Sequence, residues 1–420
     1  MWYKRSAAQW LRTIANLLYD CAICWKFGGR LRNLRAWRSI GGRPALAVPA
    51  RTHTPRQLVN ATLTQAPEKS VSRMKNYSCS NCGNTVYFEN VACVKCGSTL
   101  GFDSNALSIV AIESAGGSSD DAEHAIFRKI NGGDNELLRY CANAKFGVCN
   151  WLTLETDSNT LCKACDLNRL IPNLSEAGGL HAWREMERAK KRLVYSLMRF
   201  GLPFDGSAST KGPLTFDFVR NALTGHLDGV VTIDVTEADA VERERQRQQF
   251  DEPYRSLLGH LRHESGHYYW MVLVEESERL EDFRALFGDE RDDYGAALAR
   301  HHRIGPSPDW QGSHVSAYAS AHPWEDWAET WAHYLHMVDA LDTAEAEGME
   351  GRARLIDSRD VYRNVTFERL MARWVPLTIA MNSLSRSMGH DDFYPFVIPE
   401  PAYDKLAFVH QVIHEHGAHR

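Results

Sequence analysis

His263, Glu264 and His267 stand in the run His-Glu-Ser-Gly-His, the HExxH spacing. On a helix the two imidazoles fall at i and i+4 and point from one face at one metal ion, while Glu264 projects beside them toward a metal-bound water. Five residues thus supply two ligands and a general base. Leu257, Leu258 and Leu261 give the preceding turns an apolar face, which a buried active-site helix requires. A catalytic zinc needs a third protein ligand. Downstream, HPWEDWAETWAHYLH reads as a helix with Pro323 in its first turn, an apolar stripe of Trp324, Trp327, Trp331 and Leu335, and two carboxylates, Glu325 and Glu329, at i and i+4.

The cysteines carry a second kind of metal chemistry. All ten lie before residue 166, and eight form CxxC pairs, which is a metal pattern of a reducing compartment and not a disulfide framework. Cys79-x2-Cys82 and Cys93-x2-Cys96, each followed by glycine, let four thiolates converge tetrahedrally, and such a closed site folds a module without doing chemistry. Cys141, Cys149, Cys162 and Cys165 form a looser set able to hold a second structural zinc. Cys21 and Cys24 have no second pair beside them and supply only half of a zinc site.

Three regions must position these groups. Residues 1–73 carry thirteen Lys or Arg against Asp20 and Glu68 and show no periodicity from Gly41 to Lys69, so they are expected to be a basic, poorly ordered extension, with Met74 an alternative start. Residues 74–175 form a cysteine-rich module with short strand-like runs such as Leu107 to Ile112. Residues 176–420 form the domain bearing HExxH: an amphipathic helix from His181 to Phe200 ended by Gly201-Leu202-Pro203, a strand from Gly229 to Val235, a charged helical segment from about Ala238 into the motif, and a helix ending near Met388. The strand is expected to be the edge that pairs with an extended peptide.

Composition excludes some functions. The net charge of −5 over 420 residues gives no global attraction to nucleic acid or anionic membrane. No stretch reaches the ~18 to 20 apolar residues of a membrane span, and the short run from Ile14 to Tyr19, bracketed by Arg12 and Asp20, does not read as a secretory signal. A cytoplasmic protein with no membrane partner is expected.

The ExxxE pattern after HExxH resembles the glutamate-zincin arrangement of thermolysin-like and anthrax lethal factor-like peptidases. That resemblance implies Glu325 as third zinc ligand, Glu329 as the residue steadying a ligand, and Tyr318 as a phenol beside the metal, donating to the oxyanion of the tetrahedral intermediate. His314 is a weaker candidate for that role. The four-cysteine ribbon, LCxAC, IPxL, HExxH and PWEDWAETWAHYLH together resemble, over residues 74 to 410, the bacterial family of zinc-binding metallopeptidases with an N-terminal zinc ribbon. The resemblance implies an α+β protein, a small four-cysteine module followed by a mostly helical zincin-type domain, with one catalytic and one or two structural zinc ions and a peptide or protein substrate. Two alternatives stay open. One is a SprT-like protease whose ribbon meets nucleic acid or another protein, although Lys95 is the only cation between Cys79 and Cys96. The other is a non-catalytic zinc-binding scaffold, against which the intact Glu264 argues.

Overall fold

The computed structural model describes residues 77–116, 125–132, 136–206, 212–250, 256–349, 360–363, 365–394 and 397–418. Cys21, Cys24, Met74 and the basic segment lie outside them.

β1 (Tyr77–Ser78) and β2 (Thr85–Val86) pair antiparallel and open the cysteine-rich region. β3 (Thr99–Asp103), β4 (Ser108–Gly116), β5 (Ile126–Lys129), β6 (Leu138–Tyr140) and β7 (Trp151–Leu154) then close into a barrel, where β7 returns parallel to β3 through Phe102 and Trp151. Ile112, Leu138 and Leu152 form its small apolar cluster. Gly101 makes room for them: a Cβ there would lie 2.6 Å from the Leu152 side chain.

β8 (Asn168–Leu170) leads into a four-stranded sheet of order β10-β11-β9-β8, built with β9 (Thr215–Val219), β10 (Gly225–Leu227) and β11 (Val230–Asp234). β8, β9 and β11 run parallel, and β10 folds back antiparallel on β11. The turn is Asp228-Gly229, both with positive φ (47° and 82°), the backbone of a two-residue hairpin whose twist matches its strands. The strand expected at Gly229 to Val235 is therefore an inner strand, with β10 on one side and β9 on the other. Among the described residues the edge strands are β10 and β8, and β10 is the edge on this side because the Asp-Gly turn brings the chain back to cover β11.

The helices are α1 (Gly179–Phe200), α2 (Ala240–Phe250), α3 (Leu257–Leu273), α4 (Leu280–Phe287), α5 (Tyr294–Ile304), α6 (Pro323–Ala346), α7 (Phe367–Ser387) and α8 (Glu400–Ala418). Gly201, at φ 72°, ends α1. The charged segment does not run unbroken into HExxH: α3 starts afresh at Ser256, whose extended backbone and side chain, accepting the Gly259 amide at 3.0 Å, form an N-cap. Pro253, in the sequence just ahead, has no amide proton to continue a helix. α8, which sequence periodicity did not single out, packs against α6.

The described residues form one compact unit, and its main apolar cluster runs from Tyr77 to Ile413, beside the small one in the barrel. The junction between the cysteine-rich region and the helices is aromatic. Phe88, Phe102 and Trp151 pack with ring centroids 4.5–6.2 Å apart, and Tyr195 of α1 lies 5.6 Å from Phe88. Among the described residues no helix is long and apolar enough to cross a membrane. A four-cysteine zinc-ribbon region joined to a helical C-terminal region makes the protein α+β.

Candidate active site

α3 and α6 build the centre, and their contact explains the two residues between Glu264 and His267. Ser265 is fully buried and accepts the Trp331 indole N–H at 3.2 Å. The Gly266 carbonyl accepts the Trp327 N–H at 2.8 Å, and a Cβ on Gly266 would meet the Ala328 Cα at 3.0 Å. A glycine here lets two helices touch backbone to backbone. One turn earlier on the same face of α3, buried Arg262 donates to His336 and Asp339 of α6, and Asp339 also accepts from Ser196 of α1 at 3.0 Å. The tryptophan stripe thus sets the register of α6 on α3.

That register brings His263, His267 and Glu325 together, with one donor atom of each within 4.8 Å of the others and all three side chains buried. Glu325 Oε2 lies 3.0 Å from His263 Nε2, and Oε1 lies 3.7 Å from His267 Nε2. Glu329, one turn further along α6, meets the opposite side of the same imidazole: its Oε1 is 2.6 Å from His263 Nδ1, and its Oε2 accepts the Ser316 hydroxyl at 2.6 Å. Burial disfavours the charge on both carboxylates, but the imidazoles around them outweigh it and hold Glu325 and Glu329 at about 2. Both are ionised, the form a cation requires.

Glu264 sits beside this set, 5% exposed. Its Oε1 stands 3.4 Å from His260 Nε2, whereas Oε2 is buried with no hydrogen-bond partner. Glu325 Oε2 is likewise buried and, although 3.0 Å from His263 Nε2, makes no well-directed hydrogen bond. An unpartnered Glu264 oxygen beside a carboxylate and two imidazole nitrogens that converge on one point fits a divalent cation and its water, since a buried carboxylate oxygen left without a partner is otherwise costly. The donor set of two nitrogens and one oxygen is of the type that holds catalytic zinc with a position open.

Tyr318 begins a short 3-10 turn and lies over the site, its ring 5.9 Å from that of His263 and 5.6 Å from that of His301. Burial, then the charge of Glu325, pushes its phenol upward, so it remains a proton donor. His314 stands apart: its Nδ1 is 2.9 Å from the Ser313 hydroxyl and its Nε2 faces Asp326, which Lys405 of α8 holds at 2.6 Å.

The eight ribbon cysteines form two sets. Cys79 and Cys96 bring their sulfurs to 3.7 Å, Cys82 and Cys93 to 3.6 Å, and Cys149 and Cys162 to 3.7 Å. A tetrahedron with Zn–S bonds of about 2.3 Å has edges of about 3.8 Å, so these spacings match thiolates around one ion. Gly83 and Gly97, at φ 70° and 74°, make the turns that close the first set. The second set is buried throughout, where Cys141, Cys149, Cys162 and Cys165 meet α1. Glu187 of α1, fully buried, is 3.8 Å from the Cys165 sulfur and pairs with Lys190 at 2.8 Å.

Residues 179–412 match the family described as "Putative zinc-binding metallo-peptidase", and residues 76–176 match a zinc-ribbon domain. The chain belongs to this zinc-binding metallopeptidase family. Proteins of Mycobacterium bovis and Mycobacterium tuberculosis, each named as uncharacterized, are 41% identical to it over 348 residues, 81% of this chain and 96% of theirs. No solved structure matches. Zinc binding rests on both the family and the paired four-cysteine clusters.

Three residues around the His263-His267-Glu325 set escaped sequence reasoning. Tyr294, the first residue of α5, donates to Glu325 Oε1 at 2.6 Å, from 31 positions away, and no local pattern marks it. His226 of β10 stacks 6.2 Å from His267, its Nε2 accepting the Gly229 amide at 3.0 Å and its Nδ1 buried without a partner. Burial, then the neighbouring His267, lowers it to about 4, so it is neutral. His260 had a signal in the sequence, since it precedes Glu264 by one helical turn. Burial alone would lower it, but Glu237 and Glu264 raise it to about 9, so at neutral pH it is an imidazolium facing two carboxylates.

Proposed function

We propose that this family member is a peptidase in which Glu264 drives attack of water on a peptide carbonyl. The observation that carries the proposal is the pairing of a buried, unpartnered Glu264 Oε2 with the convergent His263, His267 and Glu325. Zinc held by those three residues would supply Lewis acidity to the water and the carbonyl. Glu264 takes the proton of the attacking water and returns it to the leaving amine. Tyr318 donates its hydroxyl proton to the carbonyl oxygen as charge builds there. Tyr294 and Glu329 hold Glu325 and His263 in place, in the manner of outer partners that orient metal ligands. The two four-cysteine sets hold structural zinc, for three ions per chain. Their free thiols suit a reducing compartment, the cytoplasm.

The substrate lies extended along β10. That strand has a free edge, touches α3 and carries His226 toward His267, while Leu223 and Leu227, both largely exposed, flank it.

Two results are expected. Full-length protein carries three zinc ions by elemental analysis, and 1,10-phenanthroline stops its hydrolysis of casein or a peptide library until zinc is restored; hydrolysis that persists in zinc-free protein would refute the proposal. Tyr318→Phe lowers kcat by about 10² to 10³, the usual effect of losing one oxyanion donor, with little change in KM.

The cysteine sets differ in burial, and so in the consequence of losing them. Cys162→Ser leaves a buried hydroxyl among three thiolates in the core beneath α1, whereas Cys96 is exposed at the edge of its knuckle. Cys162→Ser is expected to lose one zinc and to lower the melting temperature further than Cys96→Ser does. Calorimetry with matched elemental analysis tests that order.

A further inference from the structure

A chain of polar contacts runs from the substrate hairpin to the general base. Thr224, in the turn before β10, donates its hydroxyl to Glu237 Oε1 at 2.7 Å. Glu237, in the 3-10 turn after β11 and 3% exposed, places Oε2 2.7 Å from His260 Nδ1. His260, half-buried on α3, turns its Nε2 to Glu264 Oε1 at 3.4 Å. Beyond the Thr224 hydroxyl, each link uses one atom of a residue that has two, so the chain has a direction. Glu237 divides its oxygens between Thr224 and His260, His260 divides its nitrogens between Glu237 and Glu264, and Glu264 keeps Oε2 free.

A carboxylate on a helix has two rotatable bonds beyond Cβ and several ways to point. Glu264 gains a single orientation only if one oxygen is held. The imidazole can hold it because Glu237 on its other side fixes the ring plane and supplies compensating negative charge among buried groups. Neither metal-binding imidazole is shown doing this: both nitrogens of His263 and Nε2 of His267 face Glu325 or Glu329, and His267 Nδ1 is buried without a partner.

We propose that Thr224, Glu237 and His260 are positioning residues that hold Oε1 of Glu264 and thereby aim Oε2 at the reacting water. The proposal rests on the peptidase reading above. The span it covers is notable for its endpoints: Thr224 also accepts the Asp234 amide at 3.0 Å, tying the start of β10 to the end of β11. The strand expected to receive the peptide and the base expected to act on it are thus joined through four side chains.

The test uses full-length protein with two readouts besides zinc content: kcat and KM on a fluorogenic peptide cleaved by the wild type, and calorimetric affinity for acetohydroxamic acid. The hydroxamate binds a metal while passing its hydroxyl proton to an adjacent carboxylate, so it reports where Oε2 points without turnover. His260→Asn keeps a donor near Glu237 but withdraws the one facing Glu264; it is expected to lower kcat by about 10- to 100-fold, the range of lost outer partners, to weaken the hydroxamate to a similar degree, and to leave KM and the three zinc ions unchanged. His260→Gln, whose amide N–H reaches toward Glu264, recovers most of that loss. Thr224→Val, at the far end of the chain, gives a smaller fall in the same direction and serves if the His260 variants do not fold.

Wild-type kcat and hydroxamate affinity in His260→Asn would overturn the proposal, as would equal losses in His260→Gln and His260→Asn, or a loss of zinc in step with activity. Failure of the peptidase reading looks different: the wild type itself would hold no zinc beyond the cysteine sets, or bind no acetohydroxamate.

Discussion

Replacing Glu264 by glutamine is expected to reduce kcat by about 10² to 10⁴-fold while the protein keeps its full zinc content, because that is the usual contribution of general-base catalysis. The substitution preserves shape but reverses polarity where it matters. His260 faces Oε1 as a donor, so the glutamine carbonyl takes that position and its NH2 group replaces Oε2. A donor then stands where the attacking water must give up a proton. Glu264 is not one of the convergent donors His263, His267 and Glu325, so elemental analysis should return the wild-type value. Hydrolysis at the wild-type rate by Glu264→Gln would assign the activity to another site or another protein.

Glu325→Ala is expected to remove zinc from the histidine site altogether, whereas Glu329→Ala weakens it by about 10- to 100-fold. An imidazole has two nitrogens on opposite sides. Glu329 occupies the Nδ1 side of His263 at 2.6 Å, which leaves Nε2 toward the metal, and that is the nitrogen 3.0 Å from Glu325. Glu325 is also the more deeply buried, 1% exposed, with Tyr294 donating to its other oxygen. Competition titration with a zinc chelator measures both variants. A stronger loss in Glu329→Ala would exchange the roles of the two carboxylates.

Sequence alone determined whatever depends on near neighbours along the chain. HESGH puts two imidazoles and a carboxylate on one helical face because four residues make about one turn, and the CxxC pairs set sulfur against sulfur because a knuckle is a local turn. The helix from Pro323, the stop at Gly201 and the apolar stripe of tryptophans follow from the same short-range rules. Asp228-Gly229 was a legible hairpin signal as well, and recognising it would have moved the free edge from β11 to β10.

Tertiary structure decided what depends on how separate elements meet. Glu325 and Glu329 lie one turn apart with identical chemistry, and only the packing of Trp327 and Trp331 on the Ser265-Gly266 segment settles which of them reaches His263 Nε2 and which Nδ1. Tyr294 reaches Glu325, Glu237 reaches His260 and Glu187 reaches Cys165 across 31, 23 and 22 residues, with no periodicity to announce them. Side-chain partners of this kind are chosen by the shape of a shared core. A one-dimensional pattern records which face a residue occupies but not which residue of another element will be opposite it.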